Sequence, residues 1–247
     1  MSLPVHLVDS LAGVAVGDVV TVDGDEGRHA VAVRRLAVDE QVVITDGLGT
    51  SATGTIRSTQ AKRSMDVVVD SVDVAPPLDP TFTVAQALPK GERGELAVEM
   101  MTEIGVSTVM PWAATRSIVS WRGERGVKPL ARWRSTAREA SKQARRSWFS
   151  QVSELASTAD VVARIEAASL AVVLWESATR PIASVDVPTS GEILLVIGPE
   201  GSFTPEEVDA FVAAGAVSVK MGAEVLRTST AGVAALAAVM SRTSRWA

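Results

Sequence analysis

Two glycine-bearing segments in the C-terminal quarter carry the residue types that could do chemistry: "IGPEGSFTPEEV", residues 197–208, and "MGAEVLRTSTAG", residues 221–232. In the first, Gly198 and Gly201 flank Pro199 and Glu200, and a residue without Cβ lets a ligand approach the backbone closely. Thr204, Pro205 and Glu207 read as the N-cap, first residue and capping-box partner of a helix. The apolar run from Ile193 to Ile197 reads as a buried strand, so the loop sits at a strand's carboxyl end, where open α/β sheets bind ligands. The loop lacks both the G-x-G-x-x-G spacing of dinucleotide folds and the Lys-Ser/Thr of a P-loop, and Glu200, Glu206 and Glu207 disfavour phosphate. It suits a neutral or cationic ligand held by backbone. Glu200 either orients such a ligand or answers the dipole of the following helix.

The second segment repeats this logic, with Gly222 after a short strand and Thr228 or Ser229 as the natural N-cap of an apolar helix. Arg227 stands at that helix start, where the positive end of the dipole opposes it. Its charge therefore calls for an anionic partner or a substrate. Other groups read as structural: Glu99 and Glu103 as a solvated helix face, and His29 as a packed or surface histidine.

The elements that position these loops follow from periodicity. Residues 1–74 read as short strands ("DVVTV", "QVVIT", "SATGTIRST", "SMDVVVDSV") with one helical piece, "EGRHAVAVRRL", which suits a small β-barrel. Asp23-Gly24 and Asp46-Gly47 read as tight turns. The proline-rich "APPLDP", residues 75–80, is the linker. From 81 to 247 strands alternate with helices: "TFTVAQAL", "STVMPWA", "LAVVLWE", "EILLVIG" and "SVKMG" as strands, with helices over "GERGELAVEMMTEIG", "KPLARWRSTAREASKQARR" and "TAGVAALAAVMSR". Such alternation predicts a mostly parallel sheet covered on both faces. In the first of those helices Leu96, Met100 and Ile104 recur at helical spacing and mark the expected buried face.

Composition limits the chemistry further. With 247 residues, 47% hydrophobic, the chain can bury real cores. No apolar run approaches a membrane span and the N-terminus lacks a signal core, so the expected compartment is the cytoplasm. The absence of cysteine removes thiol nucleophiles and zinc-thiolate sites, and two histidines are too few for a usual metal cluster. The net charge of −5 hides a segregated surface: nine basic residues against two acidic ones between Arg122 and Arg146. A run of that kind favours phosphate contact. Arg132, Arg138, Lys142, Arg145 and Arg146 are its candidate RNA-binding residues, with Arg116, Arg28, Arg34 and Arg35 extending the footprint. Trp112, Trp121, Trp133 and Trp148 could stack bases, although such positions are more often core.

Taken in order, "RHAVAVRRLAVDE", "ALPKGERGELAVEMMTEIGVSTVMPWAATRS", "ARWRSTAREASKQARR", "LLVIGPEGSFTPEEV" and "MGAEVLRTSTA" resemble the signatures of the SPOUT class of RNA methyltransferases, and more closely its RsmE family. That family methylates N3 of one uridine in 16S ribosomal RNA. The resemblance implies a PUA-like N-terminal barrel, a C-terminal α/β domain threaded into a deep trefoil knot, S-adenosylmethionine held in bent form, and a homodimer. Carried onto this sequence, the cofactor loops are Leu174, Trp175 and Glu176; Ile197, Gly198, Pro199, Glu200 and Gly201; and Met221, Gly222, Val225, Leu226 and Thr228. Arg227 becomes the candidate for stabilising the uracil anion, with Glu200 beside it as the second candidate catalytic residue. The sequence departs from the family pattern at Ser202, where many relatives have a second glycine, and at Ser229, where many have a glutamate. The expected function is methylation of 16S rRNA, within an assembled small subunit. The alternative is a non-catalytic RNA-binding or ribosome-assembly factor on the same fold, and a nucleotide-dependent small-molecule enzyme is disfavoured by the missing dinucleotide fingerprint.

Overall fold

The computed structural model describes residues 3–61, 63–121 and 123–246. The chain forms two compact units, Met1–Pro77 with Lys142–Phe149, and Leu78–Ser141 with Ser150–Ala247. A contiguous second domain is what the alternating pattern leads one to expect; instead the end of the basic tract, residues 142–149, groups with the first unit.

The first unit is a five-stranded sheet of β1 (Val5–Leu7), β2 (Val19–Val22), β3 (Gln41–Thr45), β4 (Thr50–Gln60) and β5 (Ser64–Val74), in the order β1-β3-β4-β5-β2. Only the β1–β3 pair is parallel. Alternate residues of β4 and β5, among them Ala52, Ile56, Met65, Val67 and Val69, face one apolar core with Val42, Ile44 and Ala30. Register shifts at Thr53/Gly54 and Ile56/Ser58 interrupt the β4–β5 ladder, as bulges that bend a strand and increase its twist do. Asp23-Gly24 does not close a hairpin: it opens α1 (Gly24–Arg28), which runs into a π-helical turn over His29–Val33. β1, three residues long, is too short to carry a period and has no counterpart in the pattern reading.

Residues 142–149 are bound to this sheet through the Asp46-Gly47 turn. Phe149 N donates to Gly47 O and Gly49 N donates to Ser147 O, each at 2.9 Å. Gly47 and Gly49 both have positive φ, and a Cβ on Gly49 would lie 2.5 Å from the Trp148 ring. The turn is glycine-rich because aromatic side chains occupy the space a Cβ would take. Trp148 Nε1 donates to Pro76 O at 2.9 Å. Lys142 Nζ lies 2.7 Å from Glu26 Oε1, and the buried His6 Nδ1 is 3.5 Å from Glu26 Oε2.

The second unit has a six-stranded sheet of β6 (Thr81–Ala87), β7 (Thr108–Trp112), β8 (Gln151–Val152), β9 (Leu170–Leu174), β10 (Glu192–Ile197) and β11 (Val217–Val219). Its order is β11-β9-β10-β6-β7-β8, and every neighbouring pair is parallel. Period-two alternation divides it into two apolar layers. Phe82, Val84, Ile193, Leu195 and Ile197 pack with α2 (Arg93–Ile104), α3 (Glu124–Gln143) and α6 (Thr228–Met240). Ala85, Ala87, Leu194 and Val196 pack with α4 (Thr158–Ala167) and α5 (Pro205–Ala213).

On α2 the buried face is Gly94, Ala97, Val98, Met101 and Thr102, while Leu96 is exposed and Met100 and Ile104 are half-buried. The expected stripe is thus displaced around the helix. Close approach explains it: a Cβ on Gly94 would lie 2.6 Å from Trp133 Cζ2, and one on Gly232 of α6 would lie 2.8 Å from Met101 Sδ. Small residues are needed where helices touch, and the larger ones are turned outward. α3 is amphipathic as read, burying Leu130, Trp133, Ala137, Ala140 and Ser141.

Glu26 gives the first unit a pH dependence. Burial by itself pushes its carboxyl up, but the His6 imidazole and the Lys142 ammonium outweigh burial and lower the pKa from 4.5 to about 2. A carboxylate with a depressed folded pKa contributes stability that is present above the unfolded value and lost as pH falls through the folded one. The stability difference between the wild-type protein and Glu26→Gln is therefore expected to be full at neutral pH and to shrink between about pH 4.5 and 2. Denaturant unfolding at several pH values measures it, and a pH-independent difference contradicts the assignment.

Candidate active site

The strand order creates the site. β10 lies between β9 and β6; the chain leaves β10 for α5 on one face of the sheet, whereas β6 leads to α2 on the other. Loops that diverge to opposite faces leave a crevice at the strands' carboxyl ends. An open cleft of about 350 Å³ occupies this position. Of the residues expected around the cofactor, Leu174, Glu176, Ile197, Gly198, Pro199, Glu200, Val225, Leu226 and Thr228 line it, together with Arg227.

Trp175, Gly201, Met221 and Gly222 are absent from that lining. Trp175 packs against the α4–α5 layer and its backbone N–H donates to Val219 O at 2.9 Å. Gly201 is close to Arg116, whose Nη1 donates to Gly201 O at 3.2 Å. Met221 packs on the opposite apolar layer and Gly222 is exposed. Arg93, Phe203 and Ala231 line the cleft without having been singled out in the sequence, and so does Ser202, which the sequence marks only as a departure from the family pattern. Arg93 belongs to α2, and only helix packing brings it to the loop, whereas Ala231 follows Thr228 within the second glycine-bearing segment. Ser202 and Phe203 lie within the quoted glycine loop, so that proximity was the available signal.

The cleft's carboxylates are held in place. Glu200 Oε1 accepts from Lys90 N at 3.1 Å and lies 3.7 Å from Arg93 Nη1. Glu176 Oε1 accepts from the Ser202 hydroxyl at 2.6 Å. Ser202 has φ 60°, the left-handed conformation that glycine adopts most readily, which accounts for a glycine suiting this position. Glu207 is turned away from the cleft: it completes the Thr204 capping box and accepts from Thr115 N at 2.8 Å.

At the start of α6 the observed cap differs from the expected one. The N-cap position is Arg227, with no side-chain cap bond, and Thr228 is the first helical residue. The Thr228 hydroxyl is used across the cleft floor, donating to Gly198 O at 2.8 Å. Ser229 is buried in the same turn. Arg227 is exposed on the cleft wall, and its side chain has no hydrogen-bond or ion-pair partner among the described residues.

The basic candidates separate into free and engaged groups. Arg132 is exposed on α3, on one side with Arg125 and Lys128. Arg34 and Arg35 are exposed after the π-helical turn. Arg28 pairs with Asp25 at 3.4 Å, and Arg138 Nε lies 3.7 Å from Glu139. Lys142 is engaged by Glu26, Arg145 donates to Leu3 O, and Arg146 donates to Trp148 O. Those three residues have structural partners inside the first unit, which periodicity could not reveal. Arg122 lies outside the described residues. Trp112 stacks on Phe203 at 5.8 Å and Trp121 meets Trp133 at 5.0 Å, so these rings are core. Trp148 is half-buried and His29 is exposed. Among the described residues no acidic or histidine cluster could hold a metal ion, and no helix is long and apolar enough to cross a membrane.

Comparison with known proteins places this geometry. The family model for an RNA methyltransferase domain matches residues 77–240, and that for an RNA methyltransferase PUA domain matches residues 22–70. The chain is thus an α/β RNA methyltransferase with a PUA domain before the catalytic one. It is 43% identical over 234 residues to a Mycobacterium bovis protein named ribosomal RNA small subunit methyltransferase E, covering 93% of this chain and 89% of the relative. A Bacillus subtilis protein of the same name is 28% identical, with 90% of each chain covered. The chain belongs to the ribosomal RNA small subunit methyltransferase E family. The fold is shared with a Neisseria gonorrhoeae protein of that name solved with S-adenosyl methionine, at a TM-score of 0.85, 24% identity and 98% coverage of both chains. A Legionella pneumophila methyltransferase solved with the same cofactor superposes with a TM-score of 0.88 at 24% identity, covering 98% of this chain and 99% of the other.

The loop's shape depends on Gly198. A Cβ there would lie 2.8 Å from Phe203 Cε2, and Phe203 is wedged between Trp112 and Phe211. Overpacking against a ring that cannot retreat costs about 1–3 kcal/mol. Gly198→Ala is expected to lower stability by that amount in chemical unfolding and to weaken ligand binding in the cleft.

Proposed function

We propose that this protein is an S-adenosylmethionine-dependent methyltransferase that methylates N3 of a specific uridine in the 16S rRNA of the small ribosomal subunit. The observation that carries the reading is the unpaired Arg227 on the wall of a cleft whose carboxylates are already engaged, in a chain of this family. The lining fits the cofactor. Leu174, Ile197, Pro199, Leu226 and Ala231 offer apolar surface to a heterocycle and ribose, and Glu176 and Glu200 place negative charge where a cationic ligand benefits. When bound, S-adenosylmethionine would supply a sulfonium methyl to uracil N3 and leave as S-adenosylhomocysteine, the N3 proton passing to solvent.

The chain's own residues then position and stabilise. Gly198 brings backbone to the ligand without a side chain in the way, and Glu200, fixed by Lys90 N, keeps its carboxylate on the cleft wall. Arg227 has its donors free, and charge-assisted hydrogen bonds from it to the uracil oxygens stabilise the imide anion. Its unfavourable placement at the positive end of α6 strengthens its preference for an anionic partner. The exposed Arg125, Lys128 and Arg132 on α3 and Arg34 and Arg35 on the first unit provide phosphate contacts. The reading extends to a homodimer acting on the assembled small subunit in the cytoplasm. It also extends to a C-terminal trefoil knot, which membership of this family implies.

Incubation with labelled S-adenosylmethionine and small subunits lacking the modification tests the whole. Label is expected at N3 of a single uridine in 16S rRNA; RNA binding without label would leave only an assembly factor. Arg227→Ala is expected to lower kcat by roughly 10²–10³ while cofactor affinity stays within about twofold. Unaltered turnover in that variant removes Arg227 from the chemistry.

A further inference from the structure

Gln86 is fully buried near the end of β6, between Ala85 and Ala87, and the sheet register sets it beside Ile197 at the root of the glycine loop. Its Nε2 donates to Ala87 O at 3.1 Å and to Thr228 Oγ1 at 2.9 Å. An amide nitrogen only donates, so the single hydroxyl hydrogen of Thr228 is left for Gly198 O, 2.8 Å away. The Gly198–Pro199 peptide has no N–H, because proline lacks one. Its carbonyl is the one hydrogen-bonding group through which that peptide plane can be held, and Thr228 holds it. Gln86 Oε1, by contrast, has no hydrogen-bond partner among the described residues. A buried carbonyl without a partner is destabilising, and an apolar residue of similar length would avoid that cost. The side chain is therefore suited to what its donors do, and poorly suited to filling space.

We propose that Gln86 is a positioning residue for the cleft: by donating to Thr228 Oγ1 it aims that hydroxyl at Gly198 O and holds the 198–201 and 225–228 walls together before a ligand arrives. The same relay fixes the backbone beside Arg227, which immediately precedes Thr228. Nothing in the relay touches the reacting atoms. Its effect falls on cofactor affinity, through the shape of the cleft. The inference rests on the cofactor assignment made above.

Calorimetric titration with S-adenosylmethionine, at a temperature where thermal unfolding shows each variant folded, tests it. Gln86→Met and Thr228→Val are each expected to weaken Kd by roughly tenfold, the size of one buried hydrogen bond. The double variant is expected to be no weaker than either single one, and Thr228→Ser, which keeps the hydroxyl, to lose less affinity than Thr228→Val. Should Gln86→Met not fold, Gln86→Asn takes its place, since it keeps the amide and shortens the reach by one methylene. Wild-type Kd in the Gln86 variant with only a lowered Tm, or losses that multiply in the double variant, would overturn the proposal. A wild-type protein that does not bind S-adenosylmethionine sinks the functional reading and this inference with it, whereas wild-type binding with an indifferent Gln86 sinks the inference alone.

Discussion

β10 is enclosed on every side: β9 and β6 pair with it in parallel, Ile193, Leu195 and Ile197 are buried in one apolar layer, and Leu194 and Val196 in the other. A strand so placed offers a ligand no more than its last residue, Ile197. Only its carboxyl end reaches the edge of the sheet, so the chemistry is displaced into the loop that follows. Because the next element, α5, packs on the opposite face from α2 and α6, that loop turns away from theirs and a cleft opens. The site depends on this burial before it depends on any particular side chain.

The electrostatics of the cleft complement that geometry. Its two carboxylates are anchored, Glu200 by Lys90 N and Glu176 by Ser202, whereas Arg227 has no partner among the described residues and stands at a helix start that disfavours it. Anchored anions and a free cation suit a site that holds a positively charged cofactor and meets a negatively charged substrate. Ser202 joins both requirements, since its left-handed backbone shapes the loop and its hydroxyl holds Glu176.

Much of this was legible along the chain. The strands β3, β4, β5, β6, β9 and β10 match uninterrupted or alternating apolar runs, and the Thr204–Glu207 capping box marks α5 correctly. β1 and β8, at three and two residues, are too short to show a period and exist through their pairing. The face of α2 was misread because hydrophobicity favours Leu96, Met100 and Ile104, while the contacts with Trp133 and α6 demand glycine and alanine. Thr228 looked like a cap, and the buried amide of Gln86 gave it another use. That partner is 142 residues away, beyond any local pattern.

Residue types and spacing by themselves determined the alternation of strands and helices, the glycine loop at a strand end, the lack of a phosphate cradle and the placement of Arg227 at a helix start, because each is a property of neighbouring residues. Tertiary structure alone decided which basic residues stay free. Lys142, Arg145 and Arg146 are indistinguishable in sequence from Arg125, Lys128 and Arg132, yet the first three are held by Glu26, Leu3 O and Trp148 O, and the others are exposed on α3. It likewise decided that four separate segments, around Arg93, Leu174, Gly198 and Arg227, share one cleft. Charge and hydropathy act locally and are readable in order along a chain; the partner that a charge or an amide finds depends on which distant strands lie side by side.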